Sequence, residues 1–407
     1  MLNAAQTQID SPAIVRLARQ PVFDDAFEVV GYSVLVNGAG LEGADSEERM
    51  GVLSSFVSHY ADRVAGSFPA FLRLDRAQLQ LGLGQVLPRQ RTVIEVVDSA
   101  RVRQDSVVQI KQLAAQGFVI ALADFALTRQ VLPLLAVARY VKIDITRFTN
   151  QQLVQQIKAL AAFPVQLVAS NIHSHEQFEL CRELGFQFFQ GTFLCRPRKV
   201  CSNTVQARRS TVTELLAKVN DPEVTASDLA AIIRTDGAMI VGLLRIVNSA
   251  FYGMNRKIRT AREAIALLGL QRIRAWVTLL SVASLEDKPE ELLRSAMIRA
   301  RMAELLALRT DQDKPDTFFM VGVLSMLDAV LDLPMSEIVS ELPLFKEMEQ
   351  ALLERQGRMG RALHWIEAQE RGVWSHVQYA GLSQESIQEC WLEAIEWAKH
   401  MNRAVKP

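Results

Sequence analysis

Over roughly the first 200 residues, short apolar runs alternate with polar stretches of helical length, and this alternation restricts the fold more than any other feature. The runs are brief, apolar and mostly β-branched or aromatic, which is typical of buried strands. Repeated strand–helix units imply a parallel sheet, and about eight of them in about 200 residues predict a closed (β/α) barrel of the TIM type. The predicted strands are 14–17, 29–36, 70–74, 93–97, 119–123, 140–145, 165–169 and 186–189.

From about Thr211 onward the apolar residues recur at helical spacing, as in Ile240, Leu243 and Val247, and no convincing strand follows. The predicted fold class is therefore α/β plus all-α, with an N-terminal barrel followed by a helical domain. The stretch 196–204 is polar, contains a proline and lies between the two patterns, so it is the predicted linker. We place the two domains at 1–205 and 206–407.

The charge balance excludes a strong overall electric field. The chain has 45 Lys and Arg residues and 45 Asp and Glu residues, so its formal net charge is zero, and an electrostatic partner would need a local patch. No run of about 18 uncharged apolar residues occurs, and the N-terminus lacks the basic and then apolar pattern of a signal sequence. We expect a soluble, cytoplasmic protein with no membrane partner.

The four cysteines, Cys181, Cys195, Cys201 and Cys390, form no C-x-x-C pair. None of them lies at helical spacing from a histidine that could complete a zinc site. We expect free thiols, no bound metal and no cofactor.

In a (β/α) barrel the chemistry lies on residues at the C-terminal ends of the strands. The polar candidates there are carboxylates, one amine and one amide: Glu95, Asp98, Asp124, Lys142, Asp144 and Gln190. Hydrolysis of a phosphodiester on two Mg²⁺ ions needs several oxygen ligands and a positioned water. This set is thin for that chemistry.

The stretch Gly31-Tyr-Ser-Val-Leu-Val-Asn37 resembles the signature strand of EAL domains, which are phosphodiesterases that open cyclic di-GMP. Further stretches follow in the family's order: Ile94 to Asp98, Ala123 to Ala126, Lys142 to Asp144, and Gln190-Gly191. The resemblance implies a (β/α) barrel and a metal-dependent site. It also implies substitutions in that site, at Ser33, Asn37, Arg73, Ala123, Ser170 and His173.

Several of these substitutions remove carboxylates that bind metal in the family. Ser33 replaces a glutamate, Ala123 an aspartate, and Ser170 and His173 two further acids, while Arg73 replaces an asparagine and Asn37 an arginine. Loss of even one such group commonly lowers a rate by roughly a hundredfold, so we expect turnover to be abolished. The surviving Glu95, Asp124, Lys142 and Asp144 would then form internal ion pairs. Three alternatives remain open: cyclic di-GMP binding without hydrolysis, residual hydrolysis, and another small ligand.

In the second half, Leu243-Leu-Arg-Ile-Val-Asn-Ser-Ala-Phe-Tyr-Gly253 resembles the signature of HDOD domains. These helical modules are related to HD-type metal phosphohydrolases but lack their metal ligands, and members usually act in bacterial signalling or regulation. Ser325 and Met326 stand where the related hydrolases carry the ligand pair His-Asp, and no histidine of this chain is followed by aspartate. The resemblance implies that this half is catalytically silent.

A basic segment lies between residues 245 and 274, where the only acid is Glu263. Its basic residues are Arg245, Arg256, Lys257, Arg259, Arg262, Arg272 and Arg274. A helix, the Gly269 turn and a second helix superficially resemble a helix-turn-helix, but apolar residues on both helices leave no polar recognition face. Nucleic acid, an acidic protein or nucleotide, and a merely solvated face all remain open.

These observations predict a bacterial EAL-HDOD signalling protein with a degenerate site. We expect it not to be an enzyme and to act as a binding module for another signalling or regulatory protein. Cyclic di-GMP stays a candidate ligand, and nucleic acid is the least favoured partner. One alternative is a weak or ligand-sensing cyclic di-GMP phosphodiesterase with Glu95, Asp124 and Asp144 on metal and Lys142 near the attacking water. The other is a nucleic-acid-binding regulator.

Overall fold

A computed structural model describes residues 15–38, 51–52, 56, 60–74, 76–80, 87–97, 103–197, 203–253, 256–285, 288–311, 314–373 and 379–405. Within these ranges an eight-stranded closed barrel is followed by helices alone, which confirms the predicted fold class. The strands are β1 (Val15–Phe23), β2 (Val29–Gly38), β3 (Ala70–Leu74), β4 (Thr92–Val96), β5 (Val119–Leu122), β6 (Tyr140–Asp144), β7 (Gln166–Ile172) and β8 (Phe188–Gly191).

The strands are neighbours in chain order, and the pairs from β2 to β6, together with β7 and β8, are parallel. The exception to the parallel prediction is β1, which pairs antiparallel with β8 through Phe23 and Phe189. A tight turn at Asp24 to Glu28 joins β1 to β2, and the Asp24 side chain accepts the amide hydrogens of Ala26 and Glu28. Such a turn is too short for a parallel crossover, so the chain direction reverses there.

The helices that alternate with the strands are short. They are α1 (Ala61–Ala65), α2 (Arg76–Leu79), α3 (Gln104–Ala115), α4 (Leu132–Leu135), α5 (Asn150–Leu160) and α6 (His175–Glu183). Apolar side chains of the central strands are fully buried, as at Ile94, Ile120, Leu122, Val141 and Ile143. Strands buried on both faces read as continuous apolar runs, which is why these strands could be predicted.

The remaining helices form the second half of the chain. They are α7 (Asn203–Asn220), α8 (Ala226–Arg234), α9 (Gly237–Val247), α10 (Ala261–Leu268), α11 (Leu270–Ala283), α12 (Glu290–Arg309), α13 (Pro315–Leu324), α14 (Leu327–Leu331), α15 (Met335–Glu341), α16 (Lys346–Glu354), α17 (Gly357–Arg371) and α18 (Gln384–Val405). Trp276, Phe319 and Trp397 form an aromatic cluster with ring centroids 5.7 to 5.9 Å apart. Such contacts add to the free energy gained by burying the rings.

Helices α12 and α13 pack closely because Gly322 has no side chain. A Cβ atom at this position would collide with the backbone of Ala300 on α12. The glycine therefore permits a helix contact that any other residue would push apart.

The described residues divide into two compact units. The first takes those within 1–19, 31–144 and 150–167, and the second takes those within 20–30, 145–149 and 168–407. Helix α7 begins at Asn203, and residues 198–202 of the predicted linker lie outside the described residues. The predicted domain boundary at 205 stays a prediction.

No single described helix is long and apolar enough to cross a membrane. One bent pair of helices, Pro315–Leu331 with Met335–Glu341, is long and apolar enough when judged by length and composition only.

Candidate functional site

Charged side chains from neighbouring strands meet at the C-terminal end of the barrel. In the register of β3 and β4, Arg73 pairs with Glu95, so both side chains point to the same face of the sheet. Lys142 and Asp144 lie on β6, and Asp124 follows β5. Parallel strands end at one rim, which is why residues far apart in sequence come together here.

Glu95 is the centre of this group, and it is fully buried. Its Oε2 accepts a hydrogen bond from Lys142 Nζ at 2.8 Å and one from Ser33 Oγ at 3.2 Å. Lys142 Nζ also donates to Ser33 Oγ at 3.2 Å. Ser33 therefore bridges a buried carboxylate and a buried ammonium group without adding charge of its own.

The other oxygen, Glu95 Oε1, accepts no hydrogen bond among the described residues. Its cationic neighbour is Arg73, whose Nε lies 3.6 Å away. Arg73 Nη2 donates to Asp124 Oδ2 at 3.1 Å. One guanidinium group thus lies between two of the three surviving carboxylates.

Asp124 has a left-handed backbone conformation, with φ at 49°. Aspartate tolerates this region better than most residues, because its short polar side chain can bond locally. Ala123 N–H and Phe125 N–H on either side donate to Val96 O and Lys142 O, which fixes the turn. Residues in such conformations cluster at functional sites.

Burial lowers the pKa of the Lys142 ammonium group, and the nearby Glu95 carboxylate opposes this by raising it. The net direction is downward. Burial favours the neutral form of lysine, and the Glu95 carboxylate counteracts part of that effect.

The family resemblance implies divalent metal at this rim, and the described donors do not fit it. They include no group of three or more His, Cys, Asp or Glu side chains arranged to hold a metal ion. Both Glu95 and Asp124 face Arg73, and a unit positive charge about 4 Å from a guanidinium group costs about 4 kcal/mol at an effective dielectric constant of about 20. A divalent ion would face roughly twice that repulsion. The described side chains at this rim are therefore unsuited to holding a divalent ion.

The remaining predicted positions lie around β7 and β8. Ser170 is buried, and His173 is exposed with Nδ1 3.1 Å from Thr192 Oγ1. Gln190 donates through Nε2 to Gln20 Oε1 at 2.7 Å, a partner that the sequence analysis missed. A Cβ atom at Gly191 would collide with the backbone of Ile172, so this glycine allows β7 and β8 to approach.

Two predicted site residues cannot be placed. Asp98 lies outside the described residues, and the side chain of Asn37 is not among those described, although its backbone belongs to β2. Ala123 is buried at the end of β5, directly before Asp124. Cys201 also lies outside the described residues.

In the helical half, Ser325 and Met326 are both buried between α13 and α14. Ser325 Oγ donates to Gly322 O at 2.8 Å, and Arg299 Nη1 lies 3.4 Å from that hydroxyl. Arg299 also makes a bidentate pair with Glu370, at 2.8 and 2.7 Å. A buried arginine and its carboxylate partner thus lie beside the two positions that the resemblance equates with the metal ligands of the related hydrolases. The sequence analysis did not find this pair.

Asn248 explains much of the HDOD-like signature. Its side chain donates to Ile258 O at 2.8 Å and accepts from Ile258 N–H at 2.7 Å, which closes the loop between α9 and α10. Gly253 has a left-handed φ of 55° within this loop, and the predicted turn at Gly269 is present with φ at 82°.

The basic segment separates into two groups. Arg272 pairs with Glu304 and Asp316, and Arg274 donates to the carbonyl oxygens of Asp221 and Val224, so these two are structural. The exposed group is Arg245, Arg256, Lys257, Arg259 and Arg262. Its surface charge is smaller than the sequence count suggests.

Comparison with known proteins adds two family matches. Residues 76–197 match the EAL domain family, and residues 207–359 match the HDOD domain family. Ser33 and Arg73 precede the matched EAL region. That the site is degenerate stays a prediction.

Two relatives align along nearly the whole chain. An uncharacterized protein of Bacillus subtilis, YuxH, is 26% identical and covers 95% of this chain and 98% of its own. The cyclic di-GMP phosphodiesterase CdgJ of Vibrio cholerae is 26% identical and covers 96% of this chain and 93% of its own. A solved structure of the Bacillus subtilis YkuI protein, with an EAL domain and in complex with substrate c-di-GMP and calcium, covers 55% of this chain and 69% of its own. It is 16% identical, with a TM-score of 0.38.

The expectation that the chain is not an enzyme is corrected by these findings. A relative aligned over 96% of the chain is a cyclic di-GMP phosphodiesterase. The prediction failed because it equated each missing carboxylate with lost turnover. The number of carboxylates that are missing does not determine which chemistry the remaining charged groups support.

Proposed function

We propose, from the premise that this chain joins an EAL domain to an HDOD domain, that it acts in cyclic di-GMP signalling and that its barrel binds and hydrolyses cyclic di-GMP. The supporting observation is the hydrogen-bonded charged group formed by Ser33, Arg73, Glu95, Asp124 and Lys142 at the rim. A cytoplasmic location is part of this proposal.

The charges of this group suit a phosphodiester ligand. Arg73 is 30% exposed and uses Nη2 on Asp124, and the same planar group carries further N–H donors. Guanidinium groups bind phosphate oxygens in a bidentate manner with charge-assisted hydrogen bonds. Lys142 and Glu95 are buried next to Arg73, and their charges contribute to the electrostatic potential at the place where a phosphate would bind.

Hydrolysis adds one water molecule to one phosphodiester linkage. The water oxygen bonds to phosphorus, the bond from phosphorus to the leaving sugar oxygen breaks, and the proton lost by water ends on that leaving oxygen. Glu95 Oε1 accepts no hydrogen bond among the described residues but is buried beside Arg73, so it would hold the attacking water only where that water enters next to the guanidinium group. Arg73 would stabilise the negative charge that develops on the phosphoryl oxygens.

The test is to incubate the purified chain with cyclic di-GMP and to separate the linear dinucleotide by chromatography. We expect product from the unsubstituted chain and at least about a hundredfold less from Arg73→Ala, since Arg73 would stabilise the transition state. Arg76→Ala is the matched control, because Arg76 lies in an exposed pair with Asp105. Absence of both product and heat of binding would refute the proposal.

We also propose that the helical half binds an acidic protein partner. Phe251 is 45% exposed and lies in the loop that also carries the exposed Arg256, Lys257 and Arg259. Arg301 lies 5.3 Å from the centre of the Phe251 ring, and Trp397 packs against its edge. A partly exposed aromatic ring beside basic groups suits an interface core with a charged rim.

A further inference from the structure

Arg73 lies where it contacts two carboxylates of the barrel rim. Its guanidinium group lies between the ends of β4 and β5, with Nε 3.6 Å from Glu95 Oε1 and Nη2 3.1 Å from Asp124 Oδ2. A single cation therefore faces both carboxylates at once. Divalent metals bridge carboxylates at catalytic rims in this way, through oxygen lone pairs.

The second oxygen of Glu95, Oε2, lies beside another cation. Lys142 Nζ lies 2.8 Å from Oε2, and Ser33 Oγ donates to the same atom at 3.2 Å. The side chains of Lys142 and Glu95 are 4% and 0% exposed, so solvent ions have little access to this pair. Each oxygen of Glu95 thus faces a cation that belongs to the chain.

We propose that Arg73 takes the place of a divalent cation, so that the barrel holds a phosphodiester anion with its own guanidinium group and without metal. The choice of a cyclic dinucleotide as the ligand rests on the proposed function. The replacement of metal by Arg73 rests only on the contacts of Arg73 and Lys142.

The first experiment uses metal alone. Mn²⁺ is titrated calorimetrically into the full chain, into Arg73→Asn and into Arg76→Asn. Asparagine removes the cation and supplies an amide oxygen, so we expect Arg73→Asn to bind Mn²⁺ at least about tenfold more tightly than the unsubstituted chain. The Arg76→Asn chain should behave like the unsubstituted one. Saturable Mn²⁺ binding to the unsubstituted chain, equal to that of Arg73→Asn, would overturn the proposal.

The second experiment titrates cyclic di-GMP into the unsubstituted chain with EDTA and again with Mg²⁺. We expect equal dissociation constants within about threefold, and loss of binding in EDTA would overturn metal independence. If no nucleotide heat appears under either condition, the proposed function fails. The Mn²⁺ titration still decides whether Arg73 excludes metal, so the two failures are distinguishable.

Discussion

At the scale of single residues, Ser33 determines how the buried charges at the barrel rim are arranged. Its hydroxyl accepts from Lys142 and donates to Glu95, so it joins the two without a third charge. A carboxylate in its place would lie beside Glu95 and would need another cation. The neutral side chain is therefore compatible with the direct pair of Lys142 and Glu95.

We expect Glu95→Gln to lower the free energy of unfolding by about 3 kcal/mol, because removing one partner leaves the other buried and unpaired. Lys142 would lose its carboxylate in a region where its side chain is 4% exposed. Urea unfolding followed by circular dichroism measures the change. The control is Asp105→Asn, which breaks the exposed pair with Arg76 and should leave the midpoint nearly unchanged. Equal effects of the two substitutions would contradict this account.

The individual site residues could be identified from the sequence, but their partners could not. Glu95, Asp124 and Lys142 were candidates because each lies at the end of a predicted strand. The bond from Arg73 to Asp124 joins residues 51 positions apart, and only strand register brings them together. Gln20 was missed because its contact with Gln190 spans 170 positions.

At the scale of elements, Asn248 holds the loop that separates α9 from α10. It satisfies both backbone groups of Ile258, and its Nδ2 also lies 2.7 Å from Leu244 O. Ile258 is buried, so its N–H and C=O groups would be costly to leave unpaired. The loop geometry thus depends on one amide side chain.

We expect Asn248→Ala to destabilise the protein by about 2 kcal/mol, since both groups of Ile258 lose their partner. Asn248→Asp keeps an acceptor for Ile258 N–H but loses the donor to Ile258 O, so it should cost about half as much. Denaturant unfolding of the three chains measures the order. A cost for the aspartate variant equal to that for alanine would show that the donor alone matters.

Strand positions were predicted better than strand ends. The first strand was expected at 14–17 and extends over Val15–Phe23. Arg19 interrupts its apolar pattern, yet it fits because its guanidinium group bonds Val64 O and stacks on Tyr32, 4.3 Å from the ring centre. A polar residue with a specific tertiary partner cannot be distinguished from a loop residue by periodicity.

At the scale of the whole molecule, the zero net charge makes local patches decide which partners are attracted. Arg272 and Arg274 are bound internally, so the exposed basic group is Arg245, Arg256, Lys257, Arg259 and Arg262. These charges can be counted from the sequence, but the sequence does not show which side chains are exposed and which are bound internally. The change from a strand–helix pattern to helices alone was readable, because it depends only on local periodicity.

We expect reversal of Arg256, Lys257 and Arg259 to glutamate in the full chain to abolish capture of acidic proteins from a bacterial lysate. The unsubstituted chain should release them when salt is raised, because exposed charge pairs are screened beyond roughly 10 Å at 0.1 M. Exposed lysines elsewhere, Lys218, Lys346 and Lys399, provide a matched control for the same charge change. Capture that disappears after nuclease treatment would instead support the nucleic-acid alternative.

The bridge that Arg73 forms between Glu95 and Asp124 has a consequence for the physiology of a cell. A receptor with its own counter-ion responds to the concentration of its nucleotide alone. By the proposal above, the occupancy of its nucleotide site would not fall when magnesium or manganese is scarce. Such a protein would still bind its nucleotide during metal starvation, when enzymes that depend on cations from the medium lose activity.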